Sequence, residues 1–210
     1  MRLQIVSLLV FALCLACVPA LADTTFDSGP INGTTDAWSV NFGFVVSNSF
    51  TVQQYGAIVT GLSFGAWLFP GDVLTNAEVS ITDAEFGGNT FFDGFVNFTQ
   101  SDCSANQYGF NVCTETSDSF GPVNLASGTY WVNLENALAG DDPVYWDENS
   151  SPYSQASENS VGTIPSEAFS ILGTVTSATT STSTAPEPTT VMLFGSGVLG
   201  LTGLLRRKLF

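Results

Sequence analysis

No histidine occurs anywhere in this sequence, and its only basic residues are Arg2, Arg206, Arg207 and Lys208, all within a few residues of the two ends. The stretch from Asp23 to Ala185 therefore has no cationic side chain, while it holds eighteen of the nineteen acidic residues, all but Glu187. That absence removes Ser-His-Asp, Cys-His and lysine nucleophile schemes, together with histidine-containing zinc sites. It also leaves a free N-terminal amine as the one possible ion-pair partner for any acid in this region. A field of one negative sign excludes nucleic acid and anionic lipid surfaces as partners, and it attracts divalent cations or cationic polymers instead. Cysteine is scarce as well: of four, Cys14 and Cys17 fall within the first 22 residues, leaving Cys103 and Cys113.

The chemistry that survives is carboxylate chemistry. Phe26-Asp27-Ser28-Gly29 fits one half of an aspartic protease signature, but no second Asp-Ser/Thr-Gly accompanies it, so Asp27 reads better as a turn residue. A glycosidase needs two carboxyl groups facing each other across about 5 to 10 Å. Eighteen acids satisfy that by chance, so the signal is unspecific. Asp141, Asp142, Asp147 and Glu148 form the densest acidic cluster, and hard oxygen ligands at that density suit Ca²⁺, although the spacing is not that of an EF-hand. The competing reading is a solvated acidic loop. Trp131, Tyr145 and Trp146 are candidates for stacking on sugar rings if they face solvent, and core residues if they do not.

The ends of the chain read as addresses. Met1-Arg2, the apolar run Ile5 to Leu15 and Ala20-Leu21-Ala22 have the three regions of a secretory signal peptide, with cleavage between Ala22 and Asp23. A lipoprotein signal ending at Cys17 is the alternative, with Cys14 standing where such sites prefer an aliphatic residue. In an oxidising compartment Cys103 and Cys113 are expected to pair. At the other end, Pro186-Glu187-Pro188 precedes a fifteen-residue apolar run, Val191 to Leu205, and then Arg206-Arg207-Lys208. As a helix that run spans about 22 Å, short against about 30 Å of hydrocarbon but acceptable to a thinned bilayer. The three cations would hold its far end in the cytoplasm. The two prolines stop a helix from extending backwards, which leaves an accessible peptide beside the anchor.

This order of Pro-Glu-Pro, apolar helix and basic tail resembles the PEP-CTERM sorting signal of Gram-negative bacteria, also labelled an ice-binding protein C-terminal domain. The resemblance covers about twenty-five residues. It implies recognition by the membrane enzyme exosortase, an inner-membrane intermediate, removal of the tail, and delivery to the cell surface or an extracellular matrix containing exopolysaccharide. Stretches such as Gly65-Ala66-Trp67-Leu68-Phe69-Pro70-Gly71-Asp72, Gly140 to Asn149 and Ile164 to Phe169 look like the bodies of uncharacterised PEP-CTERM proteins. That similarity implies a shared fold and no mechanism. The ice-binding label is only weakly supported by the body, because no regular Thr-x-Thr lattice recurs in the strands.

Between the two addresses the period is that of half-buried strands. Apolar and polar residues alternate over Trp38 to Phe44, Ser49 to Gln53, Ala57 to Phe69, Ala77 to Thr82, Thr90 to Thr99, Tyr108 to Cys113, Gly128 to Leu134, Val144 to Trp146 and Ala168 to Leu172. Turn clusters such as Phe69-Pro70-Gly71-Asp72 and Ala139-Gly140-Asp141-Asp142-Pro143 separate them. No window shows a helical period. Eight to ten short strands in one domain predict an all-β antiparallel sandwich or jelly roll, with most of the seventeen Phe in its core. The organisation expected is a signal peptide over 1–22, a body over 23–173, a Ser/Thr-rich linker over 174–185 and the sorting signal over 186–210. The function expected is a non-enzymatic surface or matrix protein, with a carbohydrate-binding module or a carboxylate glycoside hydrolase as alternatives.

Overall fold

The computed structural model describes residues 23–117, 120–149, 152 and 154–176. The expected signal peptide with its Ala22 cleavage position, the sorting motif Pro186-Glu187-Pro188 and the basic tail Arg206-Arg207-Lys208 lie outside the described residues. Among those described there is no helix. Fourteen strands follow in order: β1 (Asp23–Asp27), β2 (Ala37–Ser39), β3 (Val46–Val52), β4 (Ala57–Leu68), β5 (Asn76–Ala84), β6 (Gly87–Asn97), β7 (Thr99–Ala105), β8 (Asn111–Ser117), β9 (Val123–Leu125), β10 (Gly128–Leu138), β11 (Tyr145–Asp147), β12 (Ala156–Glu158), β13 (Gly162–Ile164) and β14 (Phe169–Val175).

The longest strand, β4, organises the first sheet because both of its edges are occupied by two strands laid end to end. Along one edge β14 pairs from Ala57 to Phe64 and β11 takes over at Ala66 and Trp67. Along the other, β9 pairs with Ala57 to Val59 and β8 with Leu62 to Leu68. Outside these lie β1 on β14, β2 on β11 and β7 on β8, giving eight strands, all antiparallel. The second sheet has the order β13-β12-β3-β10-β5-β6, also antiparallel.

Alternation along the strands sends one side of each sheet into a single apolar cluster. Val46, Phe50, Val79, Ile81, Val132 and Leu134 come from the second sheet, and Leu62, Phe64, Trp146, Phe169 and Ile171 from the first. Rings join the two: Phe26 of β1 lies 6.1 Å from Phe50 of β3, and Phe64 makes edge contacts with Trp146 and Phe98 at 5.9 and 5.2 Å. Phe98 is the single residue between β6 and β7, so burying its ring anchors the crossing from one sheet to the other. Truncating such a ring to Ala costs about 3 to 5 kcal/mol.

Several expectations are corrected by local chemistry. The alternation from Trp38 to Phe44 does not form one strand. After Ser39 the chain turns, with Phe44 N donating to Asn41 O at 3.1 Å and both Phe42 and Gly43 at positive φ (56° and 90°). The buried Asn41 pins that turn by donating to Ala137 O and Asp142 O and accepting from Val144 N. Likewise β8 begins at Asn111, not Tyr108, because Asn106 Oδ1 accepts from both Tyr108 N and Phe110 N at 3.0 Å and closes a turn there. Thr174 and Val175, expected to open the linker, instead complete β14, and Thr176 N donates to Gly56 O at 3.0 Å. Cys103 and Cys113 form the expected disulfide. It bridges the β7–β8 hairpin at its register shift, beside Asp102 at φ 50°.

Candidate functional site

The sequence singled out two constellations, one acidic and one aromatic, and the fold divides both. Asp141 and Asp142 sit exposed on the tight turn after β10, where Asp142 lies against Asp72. Asp147 and Glu148, only five residues further on, are buried at 0% and 5% exposure. The four acids proposed for Ca²⁺ are thus split between a solvated turn and the interior. Among the described residues no group of three or more acidic or cysteine side chains is arranged to hold a metal ion.

Asp147 is the best-served acid of the molecule. It lies on the outer face of the first sheet, beneath the segment between β1 and β2. Its carboxylate accepts from Trp67 Nε1 (2.6 Å), Asn32 N (2.7 Å) and Gly33 N (3.0 Å). Gly65 makes the room: a Cβ there would stand 2.9 Å from Asp147 Cβ and 2.8 Å from Ile31 Cγ2. Burial pushes the Asp147 carboxyl up, the three donors pull it back, and Glu148 adds to the rise. Glu148 accepts from Trp38 Nε1 at 3.2 Å and bridges to Glu167 across the sheet. Glu167 is fully buried with no hydrogen-bond partner on either carboxyl oxygen. Burial first, and then Glu148, Asp147 and Asp36, raise it well above the usual carboxylate range. Glu115 faces the core opposite Phe64, also without partners, and burial pushes it up to about 8. With no cation in the domain to pair them, Glu115 and Glu167 belong to the interior as neutral acids at low pH.

The three aromatic candidates separate just as clearly. Trp146 has 0% exposure, packs edge-on against Phe64 and Phe169, and donates Nε1–H to Ala168 O at 3.0 Å. It is a core residue and offers no face to a sugar, because its neighbours on β11 fix its side of the sheet. Tyr145 is half-buried against Phe110, in a cluster on the outer face of the first sheet that continues through Trp67 and Tyr108. Trp131 stands alone. Half-buried on the outward side of the central strand β10, it has small cross-strand neighbours, Ser49 and Thr82, and makes no ring contact among the described residues. Trp38, Trp67 and Trp146 each donate their indole N–H to a protein acceptor, and Trp131 donates to none among the described residues. Its ring borders a groove of about 430 Å³ with Ser154, Gln155, Ser157, Thr163 and Glu85.

Acids that the sequence did not single out also share this face. Glu78, Asp93 and Glu135 come from β5, β6 and β10 and line a second groove, of about 310 Å³. The alternations Glu78-x-Ser80-x-Thr82 and Trp131-x-Asn133-x-Glu135 place each set on one side of its strand. Nothing in the sequence registers β5 against β10, which is what brings them together.

Residues 184–208 match a family model described as the PEP-CTERM protein-sorting motif. No curated protein matches the chain. The match covers the Pro-Glu-Pro sequence, the apolar run and the basic tail, and such a motif implies export, processing by exosortase and sorting to the cell surface. The chain carries a PEP-CTERM protein-sorting motif appended to an all-β, antiparallel body.

Proposed function

We propose that this chain is a surface or extracellular-matrix protein of a Gram-negative bacterium whose body is a non-enzymatic β-sandwich of jelly-roll type. The body passes through an inner-membrane intermediate, is cut by exosortase at or near Pro186-Glu187-Pro188, and is retained outside the cell in exopolysaccharide. The match over residues 184–208 carries this reading. The body supports it: a disulfide suits an oxidising compartment. Asp147 is held by backbone and indole donors and Glu115 is sealed into the core, so neither of these two acids is presented to a substrate.

Mass spectrometry of the protein from its own host tests the proposal. The expected result is a mature form beginning at Asp23 and ending near Pro188 in the extracellular or surface fraction, with the uncut form accumulating in the inner membrane when exosortase is deleted. An intact Phe210 end in the cytosolic fraction would overturn it.

A further inference from the structure

We propose that the outer face of the second sheet binds an amine-bearing polysaccharide, with Trp131 stacking on a sugar ring and Glu78, Asp93 and Glu135 receiving its ammonium groups. This deepens the proposed retention in exopolysaccharide by naming the chemistry of the polymer. Glu78 and Glu135 are directly opposed in the β5–β10 ladder, and Asp93 pairs with Ser80 one strand further out. Like charges directly opposed across a ladder are destabilising. Burial, and then Glu78 and Asp93, raise the Glu135 carboxyl above its usual range.

The groove floor gives an independent pointer to a ligand. Asn133, 3% exposed, lines the same groove, and its Oδ1 has no hydrogen-bond partner. Its orientation is fixed chemically. Thr82 gives its hydroxyl proton to Ala84 O (2.8 Å), so Thr82 Oγ1 accepts from Asn133 Nδ2 (3.1 Å), which also donates to Ser80 Oγ (3.0 Å). The amide therefore leaves only an acceptor over. Three carboxylates and an orphaned carbonyl make a groove that offers acceptors, and its complement is a ligand rich in N–H and O–H donors.

A compact metal ion does not fit, because these acids do not converge as a coordination shell. An extended donor does. Trp131, Asn133 and Glu135 are successive outward residues of β10, so they lie about 7 Å apart along the strand. An indole that borders a groove and donates to no acceptor among the described residues at one end, and clustered negative charge at the other, match a chain of sugar rings carrying amines. Phe86 at φ 54°, 40% exposed, walls the acidic groove at the β5–β6 turn. Anionic glycans are repelled by the same field.

The test is calorimetric titration of the full chain with a hexamer of glucosamine, a hexamer of N-acetylglucosamine, alginate oligomers and spermidine. The glucosamine hexamer is expected to bind at least tenfold more tightly than its N-acetylated form, alginate not to bind, and added salt to weaken the interaction. In Glu78→Gln/Glu135→Gln the affinity should fall at least tenfold while the melting temperature holds or rises, since the substitution removes a repulsion. A merely structural pair of glutamates would not give that opposite movement. Trp131→Ala should lose several-fold in affinity, with partial recovery in Trp131→Phe. Equal binding of the two hexamers, or spermidine binding as tightly as the glucosamine hexamer with no effect of Trp131→Ala, would overturn the assignment. So would absence of binding, or release of reducing ends, which would indicate a carboxylate hydrolase. A failure of sorting would appear in cell fractionation and leave these titrations unaffected.

Discussion

Asp147 and Glu115 are both fully buried on the first sheet, on opposite faces, and their surroundings are opposite in kind. Asp147 is outside the sheet under a covering segment, where two backbone amides and an indole N–H replace water. Glu115 looks into the core beside Phe64, where nothing replaces it. Burial alone therefore does not decide what a carboxylate costs; the donors that accompany it do. In a domain without cations, donors of this kind are the only neutralising device the chain itself supplies. The acids of the second sheet's outer face form a third case: Glu78 and Glu135 are half-buried and directly opposed, with Asn136 Nδ2 donating to Glu78 at 2.7 Å, and Asp93 is exposed.

The contrast is broken most severely by Asp147→Ala. Three donors, Asn32 N, Gly33 N and Trp67 Nε1, would be left buried and unpaired. At about 1 to 3 kcal/mol for each group, the loss is about 4 kcal/mol or more. Urea denaturation should show it as a large fall in midpoint, or as failure to accumulate folded protein. Glu115→Gln should do the reverse. A folded value of about 8, above the ordinary 4.5, means that stability contributed by the protonated acid is fully present below pH 4.5 and lost as pH rises towards 8. The amide removes that dependence. Chemical unfolding at pH 8 should find the variant more stable by about 3 kcal/mol, with the two proteins converging near pH 4.5. An unchanged pH profile in Glu115→Gln would show that this acid is solvated in the native state.

Much of this architecture was legible in the sequence, and the rest was hidden for identifiable reasons. β4, β5 and β10 announced themselves because long alternation with large apolar residues has no other reading. β12 and β13 are three residues each and too short to display a period, and β7 (Thr99–Ala105) is polar on both sides because it is an edge strand. Val40 and Asn41 imitated a continuing strand while belonging to a turn held by an amide side chain. The acidic cluster around Asp141 misled because five residues of chain lead from a solvated turn to the interior. Trp146 and Trp131 could not be told apart by composition, since facing is set by register with neighbours distant in sequence.

A smaller effect sharpens the comparison at the molecule's edge. Replacing Cys103 and Cys113 by Ser opens a loop of nine intervening residues, which the chain-entropy model values at roughly 2 to 3 kcal/mol. The disulfide closes the β7–β8 hairpin beside the donors of Asp147, since Cys113 pairs with Ala66, Val112 pairs with Trp67, and Tyr108 stacks on Trp67, so its loss should couple to that of Asp147→Ala and not simply add to it. Thermal melts of the double and combined variants check this. Strict additivity would show that the hairpin and the covering segment act independently, despite the Tyr108 hydroxyl bond to Thr34 O.

The smallest predicted change concerns backbone, where a side chain is tolerated against its own preference. Phe42 sits in the left-handed region at φ 56° with 65% of its surface exposed, next to Gly43, which adopts φ 90° without strain. The left-handed conformation costs a residue with a Cβ about 1 to 2 kcal/mol, part of which glycine gives back through its freer unfolded chain. Phe42→Gly should therefore gain about 0.5 to 1 kcal/mol, a rise of roughly 1 to 4 °C in melting temperature for a domain of this size. Phe42 also borders an apolar hollow with Phe44, Tyr145 and Val161. If melting temperature falls instead, the ring contributes more by packing there than the backbone loses, and Phe42 joins Trp146 as a structural aromatic, in contrast to Trp131, whose half-buried side chain has no ring or hydrogen-bond partner among the described residues.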